Sequence, residues 1–349
     1  MKKNIGQFIQ KIRQYLTEET GVKTQRLFLF SVCSVIAITC FVMLIGYGAD
    51  YVFSSRTSRE LRAKYDAIVT EEPALSDVIT FQVPDPETTT PYIPPTDSLA
   101  SSDAMLSEMP IWNSTPEPET VLPSLLPEQE YPDNPERIIN SNFHSIRKEN
   151  KDIIGWLTID RQIDEAVVQR DHVYYLDHDA MLNQNVNGAI FLDAAVSLDE
   201  GRPYSFILYG HNMKTGMMFG WLRNYENINF YHNNPWVHFN TIYEDGKYVV
   251  FAVGTISTTP GAENYLDMFS MTSRNREDQQ KAINTLINES VHTCTIDVEP
   301  SDQLRILVTC VDSDDERRVV AARRIRDGES KEDLQQLVNR SRHQNIRHR

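Results

Sequence analysis

The sequence predicts a mostly β domain, a closed β-barrel with helical insertions, that follows an apolar helix and a proline-rich segment. Three observations support this fold class. The second half of the chain contains many short runs of β-branched and aromatic residues with few helical segments between them. Near the N-terminus lies one long uncharged stretch. Between these regions, a segment rich in Pro, Ser, Thr, Glu and Asp lacks the apolar residues that a packed core requires.

The apolar stretch, 27–48, has 22 residues and no charge. A helix of that length crosses the hydrocarbon core of a bilayer. The preceding segment, 1–26, has six basic and two acidic residues, which predicts a cytoplasmic N-terminus. No small-residue cleavage site follows, so we expect an uncleaved single-pass anchor in the cell membrane and an extracellular remainder. The alternative is a buried core helix, although core helices seldom run this long without a charge.

The segment 49–135 is predicted to connect the anchor to a folded domain. A charged helix is expected at 54–69, next to the membrane. Thirteen of the 17 prolines of the chain then fall between Pro73 and Pro135. This composition predicts a disordered, extended spacer that holds the folded domain away from the membrane.

The folded domain is expected over 136–328, followed over 329–349 by a polar segment that is either a loose tail or a terminal helix. The predicted strands are 153–159, 166–169, 189–192, 204–209, 236–243, 247–257, 304–310 and a run that begins at Arg317. The predicted helices are 138–151, 217–225 and 276–290, with a short helix or turn at 174–181.

Charge and cysteine content exclude two classes of protein. The net charge of −15 argues against nucleic-acid binding, because such proteins neutralise phosphates with basic surfaces. Four cysteines are too few for a disulfide scaffold, and two of them lie in the apolar stretch. Cys294 and Cys310 remain, and a free thiol at Cys310 fits its neighbours better than a pair does. The acidic loop 312–316 could bind a cation, but its composition is more typical of a solvated turn.

Three chemically active residue types stand at strand ends. Cys310 ends one predicted strand, and a thiol becomes nucleophilic when a nearby cation favours its ionisation. His211 follows another strand, and imidazole titrates near neutral pH. Arg317 and Arg318 open the last strand and offer N–H donors to an oxyanion. Adjacent strand residues face opposite sides, so only one arginine can face Cys310, and spacing alone does not decide which.

Each of these assignments has a simpler alternative. A lone cysteine is more often a buried structural residue than a nucleophile. The arginine pair lies among other basic residues and fits a solvated basic face equally well. Nine histidines are present, so one at a strand end is weak evidence by itself. Rival histidines without a comparable context are His172, His178, His232 and His238.

Taken together, these stretches resemble the sortase family. The sequence ILVTC at 306–310 is similar to the family's cysteine motif TLxTC, and YGHNM at 209–213 is similar to its histidine motif. The sequence RRVVAAR at 317–323 resembles its arginine strand, in which the arginine precedes a small residue by five positions. Ala322 fits that small position, which favours Arg317 over Arg318.

Further stretches extend the resemblance over about 137–326. NGAIFLD at 187–193 looks like a sortase segment, and the long insertion at about 262–290 resembles class B in particular. One departure is Ile306, which stands where the motif has Thr. Because it precedes the cysteine by four residues, this difference affects substrate fit more than chemistry.

The resemblance implies a sortase-like barrel and a cysteine transpeptidase that needs no cofactor. Cys310 would attack the Thr carbonyl of a C-terminal sorting signal, His211 would protonate the leaving amine, and Arg317 would hold the oxyanion or the substrate backbone. An amine of a cell-wall precursor or a pilin would then resolve the thioester. Supporting or substrate-binding residues are expected to be Asn212, Thr309, Asp193 and Arg318.

From the residues alone, the expectation is only a thiol acyltransferase outside the membrane. Two alternatives therefore stay open. One is a cysteine protease that uses water as the acceptor. The other is a non-catalytic module that binds at the cell surface.

Overall fold

The computed structural model describes residues 2–67, 124–310 and 315–344; for 2–30, Tyr47 and Cys310 it describes the backbone alone. Eight strands form a closed barrel in the order β1-β2-β3-β4-β7-β8-β6-β5. They are β1 (Ile153–Ile159), β2 (Ile163–Val168), β3 (Ile190–Leu192), β4 (Ser205–Tyr209), β5 (Trp236–Thr241), β6 (Lys247–Ser257), β7 (Leu304–Cys310) and β8 (Glu316–Arg324). Each predicted strand overlaps one of these, and the predicted closed barrel is confirmed.

Two neighbouring pairs in the barrel, β2–β3 and β4–β7, are parallel. Strands β4 and β7 are buried along almost their whole length, as near-continuous apolar runs in parallel strands usually are. Parallel strands leave a sheet at the same edge. The residues that follow Tyr209 and Val308, which are paired in register, therefore emerge at one rim of the barrel.

The described residues also contain six α-helices: α1 (Lys2–Asp66), α2 (Ser141–Glu149), α3 (Ile228–Asn233), α4 (Met268–Thr272), α5 (Arg276–Asn288) and α6 (Lys331–Arg340). The predicted helix at 276–290 forms as α5, and the Asn275 side chain caps it by accepting a hydrogen bond from the Glu277 backbone N–H. Two 3₁₀ helices, Tyr174–Leu176 and Phe219–Glu226, overlap the segments predicted at 174–181 and 217–225. Helices α3 and α4 were not predicted, because they are too short to show a helical period.

Helix α1 runs for 65 residues without interruption. The predicted anchor at 27–48 and the charged helix predicted at 54–69 therefore belong to a single helix. Part of α1 is long and apolar enough to cross a membrane, and none of the residues in that window is buried. Such complete exposure is the opposite of what a core helix shows.

The C-terminal turns of α1 pack against the barrel. Leu61 is 1% exposed. The Tyr65 ring stacks on Trp156 of β1 with 4.7 Å between centroids, and it lies edge-on to Phe143 of α2 at 5.2 Å. Its hydroxyl accepts a hydrogen bond from Asn240 Nδ2 (3.1 Å). The end of α1 is therefore part of the core of the barrel domain.

Replacing Tyr65 with Ala is expected to lower the free energy of unfolding by about 3 kcal/mol, since it removes a buried aromatic ring and leaves a cavity beside Trp156. Chemical unfolding of the full chain in detergent measures the effect. Tyr51→Ala is the matched control, because Tyr51 lies on the same helix but is 48% exposed. Equal losses in the two variants would show that the packed ring adds nothing to stability.

Packing extends past both predicted boundaries of the folded domain. Before residue 136, Leu126 and Tyr131 are 2% and 1% exposed. After residue 328, α6 buries Leu334 and Val338 against the core. Most of the predicted spacer, 68–123, lies outside the described residues. The chain enters that segment from α1 and leaves it at residue 124, and both points belong to the unit that contains the barrel.

Candidate active site

The candidate site lies at the rim where β4 and β7 end. In their parallel register, Tyr209 is paired with Val308, and the Gly210 backbone N–H donates to the Val308 carbonyl (3.2 Å). Two residues further along each strand come His211 and Cys310. The backbone therefore brings these two positions to the same level of the rim.

The neighbouring strand β8 begins at the same rim. Its antiparallel register with β7 places Arg317 directly opposite Cys310, and Arg318 opposite Thr309. Residues directly opposite in an antiparallel pair share a face of the sheet, and successive residues alternate faces. Arg317 is therefore the arginine at the face of position 310.

Arg318 has a different partner. Its Nε and Nη2 both donate to Glu226 Oε1, at 2.9 and 2.8 Å, and Glu226 ends the 3₁₀ helix Phe219–Glu226. This ion pair holds Arg318 on the face away from position 310. The geometry thus supports the choice of Arg317, which stays a prediction until the variants are measured.

His211 is partly exposed, and its Nε2 lies 2.6 Å from the Leu176 carbonyl oxygen. A carbonyl oxygen only accepts, so Nε2 carries the proton in this bond. In the neutral ring, Nδ1 is then the nitrogen that takes up a proton. The carbonyl fixes both the ring orientation and the tautomer of the predicted general acid.

Asp193, expected as a support for the site, bonds to other residues than His211. Its Oδ2 accepts a hydrogen bond from the Tyr209 hydroxyl (2.9 Å), and its Oδ1 lies 3.2 Å from His172 Nε2. Oδ1 also accepts from the Ala195 backbone N–H (2.9 Å). Asp193 therefore stabilises the end of β4 through Tyr209, two residues before His211.

Tyr209 and His172, the two side chains that bond to Asp193, are not among the site residues predicted from the sequence. Burial raises the pKa of Tyr209, and the negative charge of Asp193 raises it further. The positive charge of Arg317 acts on the pKa of Tyr209 in the opposite direction, so the guanidinium and the phenol share one neighbourhood. Its position inside the YGHNM stretch is the sequence feature from which Tyr209 could have been selected as a site residue.

The other two expected supporting residues, Thr309 and Asn212, are partly or fully buried. Among the side chains that the structure describes, Thr309 Oγ1 and Asn212 Oδ1 are buried without a hydrogen-bond partner. Thr309 lies on the Arg318 side of the β7–β8 ladder. Its hydroxyl therefore faces away from the side of Cys310, and a role in substrate binding stays a prediction for both residues.

Cys294 offers no competing nucleophile. Burial raises the pKa of its thiol, and its Sγ donates to the Ile296 carbonyl (3.0 Å). A protonated, hydrogen-bonded thiol reacts slowly.

The described residues contain no group of three or more His, Cys, Asp or Glu side chains suited to a metal ion. Residues 311–314, which include most of the acidic loop, lie outside the described residues, as does the side chain of Cys310.

Comparisons with known proteins show which proteins this chain resembles. No protein-family model matches the chain. Sortase B of Listeria monocytogenes is 30% identical over 174 residues, which are 49% of this chain and 68% of the relative. Sortase B of Staphylococcus aureus is 28% identical over 191 residues, which are 54% of this chain and 75% of the relative. A solved Staphylococcus aureus sortase B–substrate complex is 26% identical, with a TM-score of 0.48, and covers 55% of this chain and 88% of that one.

The Listeria monocytogenes relative decides the family, because it is 30% identical and this chain covers 68% of it. The cysteine, histidine and arginine stretches occur in the order that the resemblance requires. The closed barrel provides the expected fold. The chain belongs to the class B sortases, a family of cysteine transpeptidases.

Proposed function

We propose that this chain is a membrane-anchored sortase that cuts the C-terminal sorting signal of exported proteins and transfers the acyl group to an amine. Cys310 is the nucleophile, His211 the general acid and Arg317 the oxyanion donor. The observation that carries the proposal is the common rim of β4, β7 and β8, where the register brings these three positions together. Because the family consists of enzymes, a non-catalytic binding module is set aside.

The reaction follows from the chemistry of the three groups. The Cys310 thiolate bonds to the Thr carbonyl carbon of the signal, and the negative charge moves to the carbonyl oxygen. Arg317 N–H donors stabilise that oxyanion. The C–N bond then breaks, and His211 gives its proton to the departing amine. The product is a thioester on Cys310 and a free C-terminal fragment of the signal.

An amine completes the transfer. It attacks the thioester carbonyl, loses a proton to His211 and releases Cys310 as the thiolate. A cell-wall precursor or a pilin is the acceptor that the family resemblance implies. Water in the same role would make the enzyme a protease.

Membrane anchoring through 27–48 is part of the proposal. The uncharged length of this stretch, the basic residues before it and the exposure of the side chains described over 31–46 all support a single-pass anchor. With the N-terminus in the cytoplasm, the barrel lies outside the cell, where exported proteins and cell-wall amines of a Gram-positive cell are accessible.

The proposal is tested by incubating the full chain in phospholipid vesicles with a library of sorting peptides. Mass spectrometry is expected to detect an acyl thioester on Cys310. An acyl group on another residue, or none with any peptide, would contradict the assignment.

Adding an amine separates transferase from protease. We expect an added oligoglycine or diaminopimelate peptide to convert most of the acylated product from the free acid into the amide, because a bound amine is a far better nucleophile than water. Product ratios are read by mass spectrometry. If the free acid stays the sole product at every amine concentration, hydrolysis is the reaction of this chain.

A further inference from the structure

Several apolar side chains on the connection between β2 and β3 are exposed to solvent. Val173 and Val186 are 70% and 56% exposed, and Leu176 and Leu182 are both 41% exposed. One exposed apolar residue needs no explanation, but four on a single connection form a patch. We call residues 173–186 the apolar loop.

The apolar loop has a fixed backbone. Asp179 Oδ1 accepts hydrogen bonds from the backbone N–H groups of Met181 and Asn183, at 2.9 and 3.0 Å. Gly188, directly after the loop, has φ of +60°, and a Cβ at this position would lie 2.5 Å from the Tyr175 carbonyl oxygen. Only glycine allows such a close approach. The exposed side chains are therefore held outward by an ordered chain.

The end of the apolar loop contacts α1 just beyond the predicted membrane span. Asn187 Nδ2 lies 3.5 Å from the Asp50 carbonyl oxygen, and both Asn187 and Asn185 donate to Ser54 Oγ, at 2.7 and 2.8 Å. With a rise of 1.5 Å per residue, Asp50 and Ser54 lie about 3 and 9 Å past the end of the 27–48 span. The headgroup layer on each side of a bilayer is about 5–8 Å thick. Asn187, directly after the loop, thus meets α1 within the headgroup layer, and Asn185, inside the loop, meets α1 at the outer edge of that layer.

Later turns of α1 contact other parts of the barrel. Ser58 Oγ donates to Glu165 of β2 (2.6 Å), and Tyr65, two turns further on, stacks on Trp156 of β1. Contacts along α1 therefore proceed from the apolar loop, near the span, to the strands, further from it. Among the described hydrogen bonds between α1 and the barrel domain, those of Asn187 and of Asn185 at the end of the apolar loop are the closest to the span.

Two more features add apolar surface at this depth. Tyr51, Val52 and Phe53 continue the exposed face of α1 beyond the predicted span. Trp221 is 38% exposed and lines, together with Tyr51, a cavity of about 670 Å³ between α1 and the segment that follows His211. Tyr and Trp are enriched at the interface between membrane and water.

We propose that the apolar loop rests in the lipid interface beside the point where α1 leaves the bilayer, so that the active-site rim opens along the membrane surface. The inference rests on the anchor of the proposed function. Leu176 connects the apolar loop to the active-site rim, because its side chain is one of the exposed apolar side chains of the loop and its carbonyl oxygen is bonded to His211 Nε2 (2.6 Å). A peptide or an amine that is itself held at the membrane surface then reaches the rim without leaving that surface.

Tryptophan quenching by brominated lipid tests the proposal. The full chain is placed in phosphatidylcholine vesicles whose acyl chains carry bromine close to the headgroups, and the emission of each variant is compared with that of the parent. Val186→Trp is expected to add emission that the bromine quenches. Ile138→Trp is the matched control, since Ile138 is 65% exposed but precedes α2, which packs against the last turns of α1, about 20 Å further from the span. Its added emission is expected to stay unquenched.

A probe inside the span separates failure of this inference from failure of the anchor. Phe41→Trp is expected to be quenched if 27–48 crosses the bilayer. Quenching at Phe41 without quenching at Val186 overturns the inference, keeps the anchor and indicates a patch that faces another protein. Equal quenching at Val186 and Ile138 also overturns it. Absence of quenching at Phe41 refutes the anchor, and the inference falls with it.

A second variant provides a functional readout. Val186→Asp places a charge in the lipid interface and touches none of the proposed catalytic groups. Turnover of a sorting peptide tethered to the same vesicles is expected to fall, while turnover of a soluble peptide is unchanged. Unchanged turnover of both peptides would contradict the proposed contact.

Discussion

Cys310→Ala is expected to lower turnover by on the order of 10⁴-fold or more and to abolish the thioester, because no other group in the mechanism forms the covalent bond. Peptide cleavage by the full chain in vesicles and mass spectrometry of the protein measure the two effects. Thermal unfolding shows whether the variant remains folded, which separates loss of the nucleophile from loss of the barrel.

Cys294→Ala is the matched control. Its thiol is mostly buried and bonded to a carbonyl, so the expected change in turnover is small. If Cys294→Ala removes the thioester while Cys310→Ala keeps it, the nucleophile has been misassigned. The rim of β4, β7 and β8 would then not be the active site.

Arg317→Ala is expected to lower kcat/KM by about 10²–10³-fold, the usual loss for a removed oxyanion donor. Arg318→Ala is expected to change kcat/KM little, because it breaks a partly exposed ion pair with Glu226, and such pairs contribute about 0–1 kcal/mol. Steady-state kinetics on a soluble sorting peptide compares the two variants.

Arg317→Lys refines this comparison. Lysine keeps the charge but loses the planar set of donors, so we expect a rate between those of the parent and Arg317→Ala. A large loss in Arg318→Ala alone would mean that the β7–β8 register differs in the working enzyme from the one described.

The barrel was predictable because its strands are marked locally. Runs such as 247–257 and 304–310 are short, β-branched and bounded by turns, and the structure places strands over both. Strand order was not predictable in the same way. The parallel pairing of β4 with β7 joins segments about a hundred residues apart, and no local pattern specifies it.

Much of the candidate site also followed from the sequence. Cys310 and His211 stand at the ends of apolar runs, and the structure brings both strand ends to one rim. The alternation of side chains along a strand could not decide between Arg317 and Arg318, because it only requires that the two face opposite sides of the sheet. The choice needed either the family resemblance or the observed pairing. Asp193 was expected to support the site, but the sequence does not show which side chains a carboxylate bonds; in the structure they are Tyr209 and His172.

The packing of α1 on the barrel was the largest feature that sequence reasoning missed. Ser54, Thr57, Leu61 and Tyr65 lie on one face of the helix, and all are buried. This face is partly polar, so it resembled the surface of an exposed stalk. Its hydroxyls are satisfied by Asn185, Asn187 and Asp179, which no pattern within α1 reveals.

Both ends of the proline-rich segment are fixed to the body that contains the barrel, at the end of α1 and at residue 124. Under the proposed anchoring through 27–48, the length of this segment therefore does not set the distance of the candidate site from the bilayer; helix α1 does. Each doubling of the length of a loop adds only about 0.6 kcal/mol to the entropic cost of closing it. Tags or whole modules inserted between residues 68 and 123 should accordingly leave folding and the reach of the enzyme unaltered, which makes this segment the natural place to engineer the chain.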